Sequence, residues 1–179
     1  MLFAKSDISI SPVSARPIPA PNRVPIGETE NVITDKITIF LGGTCNGSDW
    51  RDRLIPMLSH KFKPFNPVVD DWNEDAQQDE IYHRNNDDFV LYCITPMMTG
   101  FYSIAEMIDD MNKRPLKTIV CFLYKDGNGR HGYTIPQLNS VEVVLKMLKE
   151  NKIPAFTSLE DLANYLNIIV TEGRINDNG

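Results

Sequence analysis

Cysteine is scarce in this chain of 179 residues, and basic charge is in deficit. The three cysteines, Cys45, Cys93 and Cys121, cannot all pair within one chain. Two of them sit inside apolar runs, FVLYCIT and TIVCFLY, where a thiol is a small buried hydrophobe. These features argue for a reduced, intracellular protein rather than a disulfide framework. Lys and Arg number 18 against 24 Asp and Glu, a net charge of −6 with a pI near 5.0. A dense basic face is therefore missing, which excludes general binding to a nucleic acid polymer. A small nucleotide held by a few backbone amides remains compatible. No apolar run approaches the roughly 18 residues that span a bilayer. No basic segment followed by an apolar one opens the chain, so the expectation is a cytoplasmic protein with no membrane partner. Internal repeats are absent. The histidines, His60, His83 and His131, share no metal-ligand spacing, so neither a metal nor another cofactor is expected.

What is present is ordinary globular material, with 42% hydrophobic and 23% charged residues. A chain of this length forms one domain, which buries roughly 70% of its unfolded surface without a metal or disulfide staple. Residues 1–35 stand apart, holding five of the twelve prolines (Pro12, Pro17, Pro19, Pro21 and Pro25) and no sustained apolar period. Proline removes a donor and favours extended backbone, so this stretch reads as an N-terminal arm. It is either a tail or a strap lying on the domain or on a neighbouring subunit. An α/β domain over 36–167 and a tail over 168–179 complete the expected organisation.

From Lys36 onward strand and helix patterns alternate. Strands are expected over 36–41, 63–69, 89–95, 117–124 and 155–156. Helices are expected from 48 or 49 to 60, with Pro56 weakening it, and over 74–87, 103–113, 141–150 and 158–166. In the third helix Ile104, Met107, Ile108 and Met111 form one apolar stripe. Strands apolar on both faces and separated by helices indicate a parallel sheet covered on each side. The fold class expected is α/β, a three-layer sandwich around a parallel, about five-stranded Rossmann-like (flavodoxin-like) sheet. Ligands bind such sheets at the carboxyl ends of the strands, which selects the loops 42–49, 68–73, 96–102 and 124–137.

The first loop, GGTCNGSD, is glycine-rich but is neither a Walker A loop nor a G-x-G-x-x-G turn. Its glycines either bring backbone amides close to an anion or merely make a tight turn. No histidine motif supports Cys45 as a nucleophile. The second loop sets Asp70 and Asp71 beside Trp72. An indole supplies a stacking face and an apolar surface that raises a neighbouring carboxyl pKa. The alternative is an acidic turn capping the next helix. After the third loop, Ser103-Ile-Ala-Glu106 is a capping-box pattern. The same carboxylate, ionised near a helix N-terminus, also suits a nucleophile. Asp79, Glu80, Asp87 and Asp88 read as largely solvated, with Asp88 a candidate for a buried network. Asp126 to Arg130 reads as an exposed turn.

Three segments carry a resemblance: IFLGGTCNGSDWR (39–51), FNPVVDDWNEDAQ (65–77) and DDFVLYCITPMMTGFYSIAEMIDD (87–110), continuing weakly through NKRPLKTIVCFL (112–123). Together they resemble the nucleoside 2-deoxyribosyltransferase family, in its divergent deoxyribosyltransferase-like branch, over about residues 37–166. In that family an Asp opens the third strand, a Pro ends it and a helical Glu follows. Asp88, Pro96 and Glu106 look like that series. The resemblance implies that Glu106 is a nucleophile attacking the anomeric carbon of a 2-deoxyribose, through the double displacement of a retaining glycosidase. Typical members carry an acidic residue in the loop before the Glu, whereas here Met97 to Tyr102 contains none.

The expected function is cleavage of an N-glycosidic bond in a deoxynucleoside or its monophosphate, by transfer between bases or by hydrolysis. Glu106 is the nucleophile and Asp71 or Asp70 the proton donor. Gly43, Thr44, Asn46 and Gly47 cradle the sugar or a 5′-phosphate; Trp72, Met98 and Tyr102 wall the base, and Asp88 completes the binding set. By resemblance a homo-oligomer is expected, with the arm placed on a neighbour in one version. The alternative is a non-catalytic nucleotide-binding or assembly protein, in which Glu106 only caps its helix.

Overall fold

In the computed structural model, which describes residues 36–45 and 47–172, the apolar runs form the centre of a parallel sheet. Its strands are β1 (Ile37–Gly43), β2 (Phe62–Phe65), β3 (Phe89–Ile94), β4 (Thr118–Phe122) and a short outer strand, Ala155–Phe156. Between β4 and that outer strand lies a small antiparallel hairpin of β5 (Lys125–Asp126) and β6 (His131–Gly132), which makes the outer strand β7. The sheet order is β2-β1-β3-β4-β7, and all of its pairings are parallel. This is the flavodoxin-like order, with its switch point between β1 and β3.

Period-two alternation divides each central strand between two cores. Ile39, Leu41, Leu91, Cys93, Ile119 and Cys121 face one side. There they meet Trp50 and Leu54 of α1 (Trp50–Leu54) and Leu159, Leu162 and Leu166 of a C-terminal helix, Leu159–Glu172. Phe40, Val90, Tyr92, Val120 and Phe122 face the other side, where two longer helices pack. These are α3 (Tyr102–Lys113), through Met107 and the half-buried Ile104, Ile108 and Met111, and α4 (Ile135–Glu150), through Val141 and Leu148. With α2 (Glu74–Asn86) joining the α3 side and α5 (Leu159–Glu172) on the α1 side, the layers are helix, sheet, helix. Cys93 and Cys121 are buried cross-strand partners and remain free thiols. No described helix is long and apolar enough to cross a membrane.

Besides the β5/β6 hairpin and a β2 that stops at Phe65, short of the expected 69, three helices differ from expectation. The first helix ends at Leu54 and continues only as one 3₁₀ turn over Ile55–Met57, where Pro56 cannot donate a backbone hydrogen bond. α4 begins six residues early, because Thr134 and Gln137 form a capping box and Pro136 sits in the first turn, where proline is tolerated. α5 runs to Glu172, past the expected end at 166. The N-terminal arm lies outside the described residues, as does the chain from 173 onward.

Candidate functional site

The crevice between the carboxyl ends of β1 and β3 is stitched together by the backbone. Gly43 has φ +114°, and a Cβ there would stand 2.1 Å from the Cys93 carbonyl oxygen, so only glycine lets these strands close. The Thr44 amide donates to Cys93 O (2.9 Å), and its hydroxyl accepts from the Thr95 amide (2.9 Å). Trp50 Nε1 and Arg51 Nη1 both donate to Thr44 O, at 2.9 and 2.8 Å. Arg51 is buried; its Nε reaches Leu41 O (3.0 Å), and its guanidinium lies 4.3 Å from the Trp50 ring centroid. Burial lowers its pKa, only partly opposed by Cys45, Cys93 and Glu80.

The charged centre lies between α2 and α3. Residues four apart share a helix face, so Glu80 and Arg84 of α2 form one ladder and Glu106 and Asp110 of α3 another. The ladders meet. Arg84 Nε donates to Asp110 Oδ2 (2.8 Å) and Nη2 to Asp110 Oδ1 (3.1 Å), while Nη1 donates to Glu106 Oε1 (2.9 Å). Tyr92, from the middle of β3, donates its hydroxyl to Asp110 Oδ2 (2.6 Å), and Arg114 adds an ion pair on Oδ1. Asp110 and Tyr92 are fully buried, and Glu106 is 5% exposed. Glu80 and Arg84 are the buried residues of α2, so this helix enters the fold through charges rather than an apolar stripe.

Two half-exposed aromatics cover the carboxyl groups. Trp72, from the loop after β2, and Tyr102, at the start of α3, meet edge to face at 5.8 Å. Hydrogen bonding from Trp72 favours the charged form of Glu80, and Tyr102 acts likewise on Glu106. Burial outweighs these effects. It pushes Glu106 up to about 7, against the pull of Arg84 and with help from Glu80 and Asp110. Burial also raises Glu80, against Trp72, Arg84 and Arg51, and its Oε2 has no hydrogen-bond partner among the described residues. Burial alone would lower Arg84, but the Asp110 bonds and the charges around it reverse that, so the guanidinium stays protonated. Burial and then Asp110 keep the Tyr92 phenol neutral. The arrangement is a pair of buried carboxyl groups whose proton affinity burial raises, one of them tied to a permanent cation.

The capping-box reading of Glu106 does not hold. The N-cap of α3 is Phe101, Ser103 lies inside the helix with its hydroxyl on Gly43 O (3.2 Å), and Glu106 turns to Arg84. Trp72 and Tyr102 lie together beside the carboxyl pair. Met98 lines a groove of about 460 Å³ on the α4 side of α3, with Ile94, Phe101, Tyr133 and Gln137. Gly47 has φ +62° and is exposed, whereas Asn46 lies outside the described residues.

Four expectations need correction. Thr44 is completely buried, and its amide, carbonyl and hydroxyl all have partners within the fold, so it shapes the crevice instead of meeting a ligand. Asp88 is exposed at the opposite, amino end of the sheet, where its Oδ2 accepts from the Thr38 amide (2.7 Å) and hydroxyl (2.9 Å). Asp70 and Asp71 are both exposed, without the low-polarity surroundings a proton donor needs, and Glu106 pairs with Arg84 rather than with them. Glu80 and Asp87, read as solvated, are buried, as is Asp126 in the supposed exposed turn. Asp126 accepts hydrogen bonds from the Ser48 hydroxyl and the Gly127 amide, which with Thr95 hold its carboxyl below the usual range despite burial.

Glu80, Arg84, Tyr92 and Asp110 escaped the sequence reading. The available signal was the i, i+4 spacing of unlike charges in α2 and of carboxylates in α3, combined with the lack of any apolar stripe in α2.

Residues 36–114 match the family model described as nucleoside 2-deoxyribosyltransferase like. That span runs from the start of β1 through α3 and holds every member of the carboxylate cluster. It supports the resemblance read from the sequence, over a narrower stretch than 37–166. No curated protein matches the chain.

Proposed function

We propose that this protein cleaves the N-glycosidic bond of a deoxynucleoside or its monophosphate, with Glu106 as nucleophile. The observation that carries the reading is the placement of Glu106. It is buried beside the carboxyl-end crevice of a parallel sheet, under two aromatic rings and next to a second carboxyl group, and it makes no helix cap. The family match supports the coarse chemistry.

In the first step a Glu106 carboxylate oxygen bonds to the anomeric carbon as the carbon–nitrogen bond breaks. The electron pair leaves with the base, which takes a proton from Glu80. Burial keeps that proton on Glu80 above the usual carboxyl range, as a general acid requires. The product is a glycosyl ester on Glu106. In the second step Glu80, now ionised, takes a proton from water or from an incoming base. The attacking oxygen or nitrogen displaces Glu106, and the anomeric carbon regains its original configuration. This assignment moves the proton-donor role from Asp71 or Asp70 to Glu80. Trp72 and Tyr102 supply flat faces for the base.

The test is chromatographic. Each deoxynucleoside and deoxynucleoside monophosphate is incubated with the protein, with and without a different free base, alongside Glu106→Gln. Release of free base without an acceptor identifies a hydrolase; a new nucleoside formed only with an acceptor identifies a transferase. Turnover that survives Glu106→Gln rejects the nucleophile, and the absence of any turnover at high protein concentration rejects the enzyme reading in favour of a binding protein.

A further inference from the structure

Arg84 is the one cation bonded to Glu106 among the described residues, and how it is held decides what Glu106 can do. A guanidinium has two edges suited to a carboxylate. In Arg84 the Nε/Nη2 edge is taken by both oxygens of Asp110, at 2.8 and 3.1 Å. Asp110 is itself fixed by Tyr92 and Arg114. On the other edge the second N–H of Nη2 is spent on Asp109 Oδ2 (3.3 Å) and the Glu106 carbonyl oxygen (3.5 Å), so Nη1 alone reaches the Glu106 carboxylate, at one oxygen, Oε1 (2.9 Å). Without Asp110 to fix its orientation, the guanidinium would be free to turn a whole edge onto both Glu106 oxygens, leaving the carboxylate deeply stabilised and no oxygen to attack a substrate.

We propose that Arg84, clamped by Asp110, is a positioning residue that anchors Glu106 through Oε1 and leaves its second oxygen for the substrate. The proposal rests on the reading of Glu106 as nucleophile. The groups facing Glu106 are Arg84 and Glu80 from α2, Tyr92 from β3, and Tyr102 and Asp110 from α3 itself, with Arg51 of α1 acting on Glu80. Of these, Arg84 and Tyr102 favour the charged form of Glu106, Glu80 and Asp110 oppose it, and Asp110, with Asp109, moderates Arg84.

The clamp predicts opposite effects from its two members. Glutamate labelled with carbon-13 at Cδ follows the Glu106 titration by NMR, with Glu106→Gln supplying the assignment. Asp110→Asn, which is isosteric, lowers the Glu106 midpoint by about half a pH unit or more. Arg84→Gln raises it by a similar amount, and Arg84→Lys restores part of that loss. In the unaltered protein, the Arg84 side-chain nitrogen resonances shift with the same midpoint as Glu106. A smaller or upward shift in Asp110→Asn, or Arg84 resonances indifferent to Glu106, overturns the proposal. Where turnover is found, kcat of Asp110→Asn falls at least about tenfold with KM little changed, because the lost interaction is one made in the transition state. The acid limb of its rate profile moves with the NMR midpoint. Absence of turnover in the unaltered protein rejects the enzyme reading alone, since the titrations judge the clamp without it.

Discussion

The two ends of the sheet use carboxylates in opposite ways. At the amino end, Asp88 is exposed and bonded through one oxygen: Thr38 donates twice to its Oδ2, and the Asp88 amide donates back to the Thr38 hydroxyl at 3.0 Å. This reciprocal pair fastens the start of β3 to β1, and water covers what remains of the charge. At the carboxyl end, Glu106 and Glu80 are buried with fewer bonds than their oxygens can accept, and their pKa values rise. A satisfied carboxylate in water adds to stability. A partly satisfied one in the interior costs stability and keeps chemical potential for a ligand.

Replacing Glu106 should break this contrast most sharply. Glu106→Gln is expected to abolish turnover, by roughly 10³-fold or more, while keeping the Arg84 bond and the fold. The expected check is kinetic, with circular dichroism as the control for folding. The same variant sharpens the stability side. Glu106 titrates near 7 when folded against an ordinary 4.5, so its protonated form favours the folded state. Its contribution is fully present below about pH 4.5 and is lost as pH rises through 7. Melting curves of the unaltered protein should therefore lose stability across that window relative to Glu106→Gln. Over the same window the rate should rise with pH, because only the ionised carboxylate attacks.

Glu80→Gln comes next, with kcat expected to fall by about 10²-fold or more for substrates whose base must be protonated to leave. A substrate with an activated leaving group, such as a nitrophenyl deoxyriboside, should recover much of the loss. Recovery separates proton donation from general damage to the site. Gly43→Ala acts on the crevice between these carboxylates and the strands. Its Cβ would meet the Cys93 backbone at a positive φ, so a loss of about 3 kcal/mol or more is expected in denaturant titration. The smallest effect belongs to the amino end. Asp88→Ala should cost about 1 kcal/mol of stability and leave kcat and KM unaltered, in contrast to every change at the other end.

Much of the architecture was legible in residue order. Parallel strands covered on both faces must be apolar at nearly every position, so FVLYCIT and TIVCFLY announced β3 and β4, and the helices between them required parallel pairing. Glu106 was singled out by the family resemblance alone, since its place in the first turns of the helix reads equally well as a cap. Its partners were not. Glu80 and Arg84 lie on a helix with no apolar stripe, and such a pattern ordinarily marks a solvated surface. Nothing local distinguishes Asp71 beside an indole from Glu80 nine residues before a strand.

Strand and helix identity follow from forces acting within a few residues, namely side-chain periodicity, proline and glycine geometry, and caps. These are written into the chain and can be read there. Whether a carboxylate is neutral or charged, a nucleophile or a clasp, depends on how much water the rest of the fold removes from it and which cation is brought within 3 Å. In this protein that choice was made where α2 met α3, by two helix faces whose encounter only the tertiary structure decides.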